Sequence, residues 1–124
     1  MPPRRRTSPD QGRAALATWR AEDVIDRSTR ATAVRFTLEE LAERAPGNSV
    51  EVRVPPFGVV QCVEGPRHTR GTPPNVVETD AETWLLLVVG RMSWADALAS
   101  GVLRTSGTRA DLSALLPLTR GDHP

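Results

Sequence analysis

Cys62 and His68 are the one pair in this sequence from which nucleophilic catalysis could be built, because a thiol needs a nearby base or positive charge to become a reactive thiolate. The neighbourhood of Cys62 argues otherwise. It sits in Val59-Val60-Gln61-Cys62-Val63, an apolar strand pattern in which a free cysteine is expected as a small core hydrophobe. No catalytic residue is therefore assigned, and no enzyme activity is expected. The second histidine, His123, lies in the last residues, and the carboxylates are not clustered, so neither a metal site nor any cofactor is expected. With a single cysteine the chain cannot form an intramolecular disulfide.

Arg67, His68 and Arg70 lie among Gly65, Pro66, Gly71, Pro73 and Pro74. Glycines expose backbone N–H groups and guanidinium forks match oxyanions, so this loop offers contact to an anion or a partner. The competing reading is a solvated loop whose arginines pair with Glu64 or Glu78. No Walker or dinucleotide spacing accompanies it. Trp84 and Trp94 sit near helix starts at a spacing that lets both reach one side of a sheet, where aromatics either line an apolar pocket or fill a core.

These residues must be positioned by one domain, since 124 residues leave no room for two. Sixteen basic against fifteen acidic residues give a net charge of +1, so the overall balance does not call for nucleic acid. All of the basic residues are Arg and Tyr is absent, which we read as the codon bias of a GC-rich bacterial genome. Arg4-Arg5-Arg6 superficially suggests a twin-arginine signal, but Arg20, Glu22 and Asp23 interrupt the sequence before an apolar segment develops. The longest apolar run, Trp84 to Val89, is far short of the ~18 residues that span a bilayer. A cytoplasmic protein is expected, with a basic arm over 1–7 and a tail over 119–124, both disordered.

Between them the periodicity reads as alternating blocks. Ser8-Pro9-Asp10-Gln11 announces a helix carrying Ala15, Leu16 and Trp19. A second helix is expected from Ser28 or Thr29 to Ala45, with Val34, Leu38 and Leu41 on one face and Pro46-Gly47 ending it. Val50 to Val54 alternates strictly, and Pro55 to Gly58 turns the chain into Val59 to Val63. This alternation predicts Val50, Val52, Val54, Val60 and Cys62 toward the helices, and Glu51, Arg53 and Gln61 away from them. After the loop Glu64 to Asn75, Val76 to Thr79 reads as a third strand, and Thr79-Asp80-Ala81-Glu82 as a capping box for a buried helix closed by Gly90. Ser93 opens a short helix, Val102 to Thr105 reads as a fourth strand, and Thr108 to Asp111 is expected to cap a last helix carrying Leu112, Leu115 and Leu116.

From Val76 onward the order of these elements resembles the C-terminal half of a sterol carrier protein domain. The landmarks are Asp80, Thr83 and Trp84 opening a helix, Gly90-Arg91 ending it, Asp96-Ala97 in the next, then Gly101, Ser106-Gly107 and the final leucines. The preceding part is similar to a short actinobacterial branch of that family, and the resemblance extends roughly from Ala31 to Leu118.

The resemblance implies an α/β (α+β) domain over residues 8–118, with a mainly antiparallel sheet of four to five strands covered on one face by helices. It also implies an apolar tunnel in which a sterol, fatty acyl chain or phospholipid is bound or transferred without covalent chemistry. On that reading the lining is Val52, Val54, Val60, Trp84, Val88, Trp94, Leu98, Leu112, Leu115 and Leu116. The expected partner is a lipid or other apolar small molecule. An alternative follows from a second resemblance, to the C-terminal module of mycothiol-dependent maleylpyruvate isomerase-like proteins. In that case the chain is an accessory module that contacts a protein and holds no lipid.

Overall fold

The computed structural model describes residues 6–65 and 75–119. Arg67, His68 and Arg70 lie outside the described residues, as do most of the expected arm and tail. The inner ends of both termini are tied down. The backbone N–H groups of Arg6 and Thr7 donate to the Glu39 carboxylate, and those of Leu118 and Thr119 to the Val88 carbonyl.

Helix α1 spans Pro9–Ala21, with Pro9 at its first position and the Ser8 hydroxyl accepting from the Gln11 N–H. Helix α2 spans Arg27–Arg44. It starts slightly before the expected residues because Asp26 caps it, accepting a 2.7 Å bond from the Thr29 N–H. Its stripe of Val34, Leu38 and Leu41 is buried as expected, but so are Phe36, Thr37 and Ala42. The stripe is broad because α2 packs against α1 as well as the sheet and a third helix.

Strand β1 (Val50–Val54) pairs antiparallel with β2 (Gly58–Cys62) and parallel with β3 (Asn75–Thr79), which pairs antiparallel with β4 (Leu103–Ser106). The sheet order is β2-β1-β3-β4, open at both edges. Val50, Val52, Val54 and Cys62 are fully buried and Val60 is half-buried opposite Val52. Gln61 and Val59, opposite Glu51 and Arg53, lie on the outer face, where Arg104 and Arg53 flank Glu78. Such exposed pairs stabilise little, roughly 0–1 kcal/mol each, and keep this face wet.

Helix α3 (Ala81–Val89) and helix α4 (Trp94–Ala99) complete the fold. The cap of α3 is Asp80 and not Thr79: the Asp80 carboxylate accepts from the Thr83 N–H at 2.8 Å and the Thr83 hydroxyl at 2.9 Å. Thr79 ends β3, its hydroxyl donating to the Val102 carbonyl beside β4. Glu82, the expected partner in a capping box, instead accepts from the indole N–H of Trp19 on α1. Gly90 closes α3 in the left-handed region at φ 80°, where a side chain would be strained.

The last expected helix does not form. Asp111 caps only a local turn by accepting from the Ser113 N–H, and Leu115 donates to Leu112. Pro117 disfavours helical backbone at Leu116, leaving about one turn between Asp111 and Leu116, too little to offset helix nucleation. Leu112 is nevertheless fully buried, so the segment docks as an irregular strap.

The result is a mixed α+β fold with a four-stranded open sheet and four helices among the described residues.

Candidate functional site

The apolar residues singled out from the sequence separate into two environments. Val52, Val54, Trp84, Val88 and Leu112 belong to the packed core. Trp84 has no exposed surface, and its indole N–H donates a 2.8 Å bond to the Thr37 hydroxyl on α2. Val60 and Leu115 are partly buried against that core, while Leu98 on α4 is 40% exposed.

Trp94 and Leu116 come together elsewhere. After α3, the left-handed turn at Gly90 sends the chain through Met92 to Ser93, whose hydroxyl accepts from the Asp96 N–H and caps α4. Trp94 is thereby placed at the start of that helix, facing the strap that carries Ser113, Leu116 and Pro117. Two hydrogen bonds to Val88 fix the end of the strap against α3. Between them lies a cleft of about 440 Å³, walled by Leu87, Met92 and Trp94 on one side and Leu116 and Pro117 on the other, with Ala95 at α4. Its lining holds no titratable side chain and no thiol; Ser93 and Ser113 are its polar members. That chemistry suits shape-based, non-covalent binding of an apolar group, oriented by a hydroxyl.

Leu87, Met92, Ser113 and Pro117 were not singled out from the sequence. Met92 did carry a signal: a large apolar residue in a short connection between two capped helices must pack on something, and here it packs against the core and lines the cleft. The strap reads as a helix by its leucine spacing, which conceals which of its side chains share a side.

Cys62 has no exposed surface, and burial pushes its thiol up to about 12, so at neutral pH it stays a protonated core group. His68 lies outside the described residues. Among the described residues no group of three or more His, Cys, Asp or Glu is arranged to hold a metal ion, and no helix is long and apolar enough to cross a membrane.

Comparison with curated proteins gave no match. The family model described as "Bacterial SCP ortholog" matches residues 26–118, beginning at the cap of α2 and ending at the strap. Three-quarters of the chain, including the whole sheet and the Trp94 cleft, lies in that span, and with α1 alone among the helices preceding it, the chain belongs to this sterol carrier protein-like bacterial family.

Proposed function

We propose that this chain binds an acyl-chain lipid without covalent chemistry and carries it, taking the chain into the cleft beside Trp94. Membership of a sterol carrier protein-like family points to lipid binding or carriage in general. The observation that supports this location is the uncharged lining of Leu87, Met92, Trp94, Leu116 and Pro117 around about 440 Å³. Pockets of ~300–1,000 Å³ are typical of small-molecule sites. Burial of apolar surface supplies about 25 cal/mol per Å², enough for a chain of several methylenes to bind through the hydrophobic effect alone. In this reading Trp84, Val52, Val54 and Val88 belong to the packed core behind the cleft, while Trp94 and Leu116 are the side chains that adjust to the ligand.

Dodecanol titrated into isotope-labelled protein tests this, followed at the indole N–H of Trp94. Saturable shifts at Trp94 and Met92 are expected, weakened about tenfold or more by Ala95→Trp, which fills the cleft from an exposed helix position. Saturable shifts that are unchanged in Ala95→Trp, or no shift at Trp94 at all, overturn the assignment.

A further inference from the structure

Of the two open edges of the sheet, that of β2 is unguarded. Edge strands of soluble proteins are commonly blunted by charge, proline or a covering segment, because their free N–H and C=O groups otherwise pair with another chain. The β4 edge is four residues long and carries Arg104. Strand β2 reads Gly58-Val59-Val60-Gln61-Cys62, without charge or proline. Val59 is 57% exposed, the one exposed large apolar side chain in the sheet among the described residues. The chain that follows turns away from this edge. Val63, in the left-handed region at φ 66°, donates its N–H to the Ala45 carbonyl at 2.7 Å and accepts from the Ser49 N–H at 3.1 Å. Gly65 then lies against the Ser49 and Arg109 side chains, and the Arg109 N–H donates to Asn75 at the start of β3. Among the described residues β1 is therefore the only strand paired with β2.

We propose that a second copy of this chain occupies the β2 edge, the two β2 strands pairing antiparallel about a two-fold axis that passes through Val60 perpendicular to the sheet. An interface of this kind uses the same surface on both copies, so the strand must be complementary to itself. In this register Val60 faces Val60, Val59 faces Gln61 of the second copy, and Gly58 faces its Cys62. No like charges are opposed, and Val59 gains a neighbour on its open side. The hairpin register sets the flanking charges, because Arg53 stands opposite Val59 and Glu51 opposite Gln61. Each outer-face row across the joined sheet then runs Arg53, Val59, and on to Gln61 and Glu51 of the second copy. The arginine of one copy is aligned with the glutamate of the other, whereas a parallel pairing in register would align Arg53 with Arg53 and Glu51 with Glu51. This charge complementarity favours a second copy in the antiparallel arrangement. Five residues a side are fewer than the ~20–30 of a standard interface, so the dimer is weak and is read through its concentration dependence.

Sedimentation velocity on the full chain, from micromolar to millimolar concentration, should show monomer converting to dimer and no larger species, since the closed two-fold pairing consumes both β2 edges. Val59→Glu combined with Gln61→Glu sets like charges against each other at both 59–61 pairs and should weaken the dimer about tenfold or more. Val59→Lys combined with Gln61→Glu sets opposite charges at the same pairs and should retain or tighten it. Ser106→Glu, at an exposed position on the β4 edge, should leave it unchanged. Circular dichroism confirms that each variant is folded. A monomer at every concentration overturns the proposal and leaves the edge to a strand of another protein. Growth beyond the dimer, equal effects of the two 59/61 combinations, or equal weakening by Ser106→Glu also overturns it.

Discussion

The indole N–H of Trp84 on α3 donates a 2.8 Å hydrogen bond to the hydroxyl of Thr37 on α2, both side chains being almost wholly inaccessible to water. The Thr37 hydroxyl in turn donates within its own helix, lying 2.8 Å from the Ala33 carbonyl and 3.0 Å from that of Val34. A threonine in mid-helix is a modest propensity loss, but here its hydroxyl satisfies a donor that would otherwise be buried without a partner. The bond joins the two helices that back the sheet.

Replacing Thr37 by Val keeps the shape and removes the acceptor, stranding the indole N–H. Denaturant unfolding should show a loss of about 1–3 kcal/mol. Trp84→Ala should cost ~3–5 kcal/mol, as expected for deleting an aromatic from a packed core. Thr37→Val with Trp84→Phe should cost less than the sum of the single changes, because the second removes the group that the first leaves unpaired.

Gly12 on α1 packs directly on the Phe36 ring, and a Cβ at this position would overlap that ring. Alanine is the better helix former by about 1 kcal/mol, so on propensity alone Gly12→Ala would stabilise α1. The overlap should reverse the sign, giving a net loss of about 1–3 kcal/mol by thermal or chemical unfolding. Phe36→Leu in the same protein should recover part of it. Stabilisation by Gly12→Ala alone would contradict the close approach of the two helices.

Cys62 gives a clean alkaline signature. Its thiol is raised from 9.0 to about 12 by burial, so the folded state keeps a proton that the unfolded chain releases. Stability from this group is complete below pH 9.0 and declines as pH rises toward about 12, at a slope near 1.4 kcal/mol per pH unit. The chain has no Lys and no Tyr, leaving no other side chain with an ordinary titration in that window. Cys62→Ala should therefore flatten the alkaline limb while lowering stability at neutral pH. Native Cys62 should also resist a thiol reagent that modifies the unfolded chain promptly.

The Asp80 cap separates from the neighbouring residues by mutation. Asp80→Ala should cost about 1 kcal/mol and Asp80→Asn much less, since asparagine also caps well. Glu82→Gln should leave α3 unaffected and act instead on the docking of α1, read as faster amide exchange around Trp19, whose indole donates to Glu82.

What the sequence determined by itself was local. Strict alternation over Val50 to Val54 can bury only one face of an extended chain, and the structure buries Val50, Val52 and Val54. The Ser8 cap, the α2 stripe and the Gly90 terminator are likewise readable because their partners lie within a few residues. Tertiary structure decided the rest. Thr79 or Asp80 would each satisfy a cap, and the choice fell to Asp80 once β4 had placed the Val102 carbonyl beside Thr79. The parallel pairing of β1 with β3 joins segments whose patterns are equally compatible with an antiparallel partner. The strap from Asp111 to Pro117 reads as helix by its leucine spacing, yet it docks on α3 through hydrogen bonds to Val88, which no local pattern encodes. The Trp94 cleft depends on such long-range contacts, with Trp94 facing Leu116 across it, and Arg44 likewise reaches Leu118 across 74 residues of chain. Local propensity acts over one or two turns, whereas a binding site is made where distant segments are held together by burial.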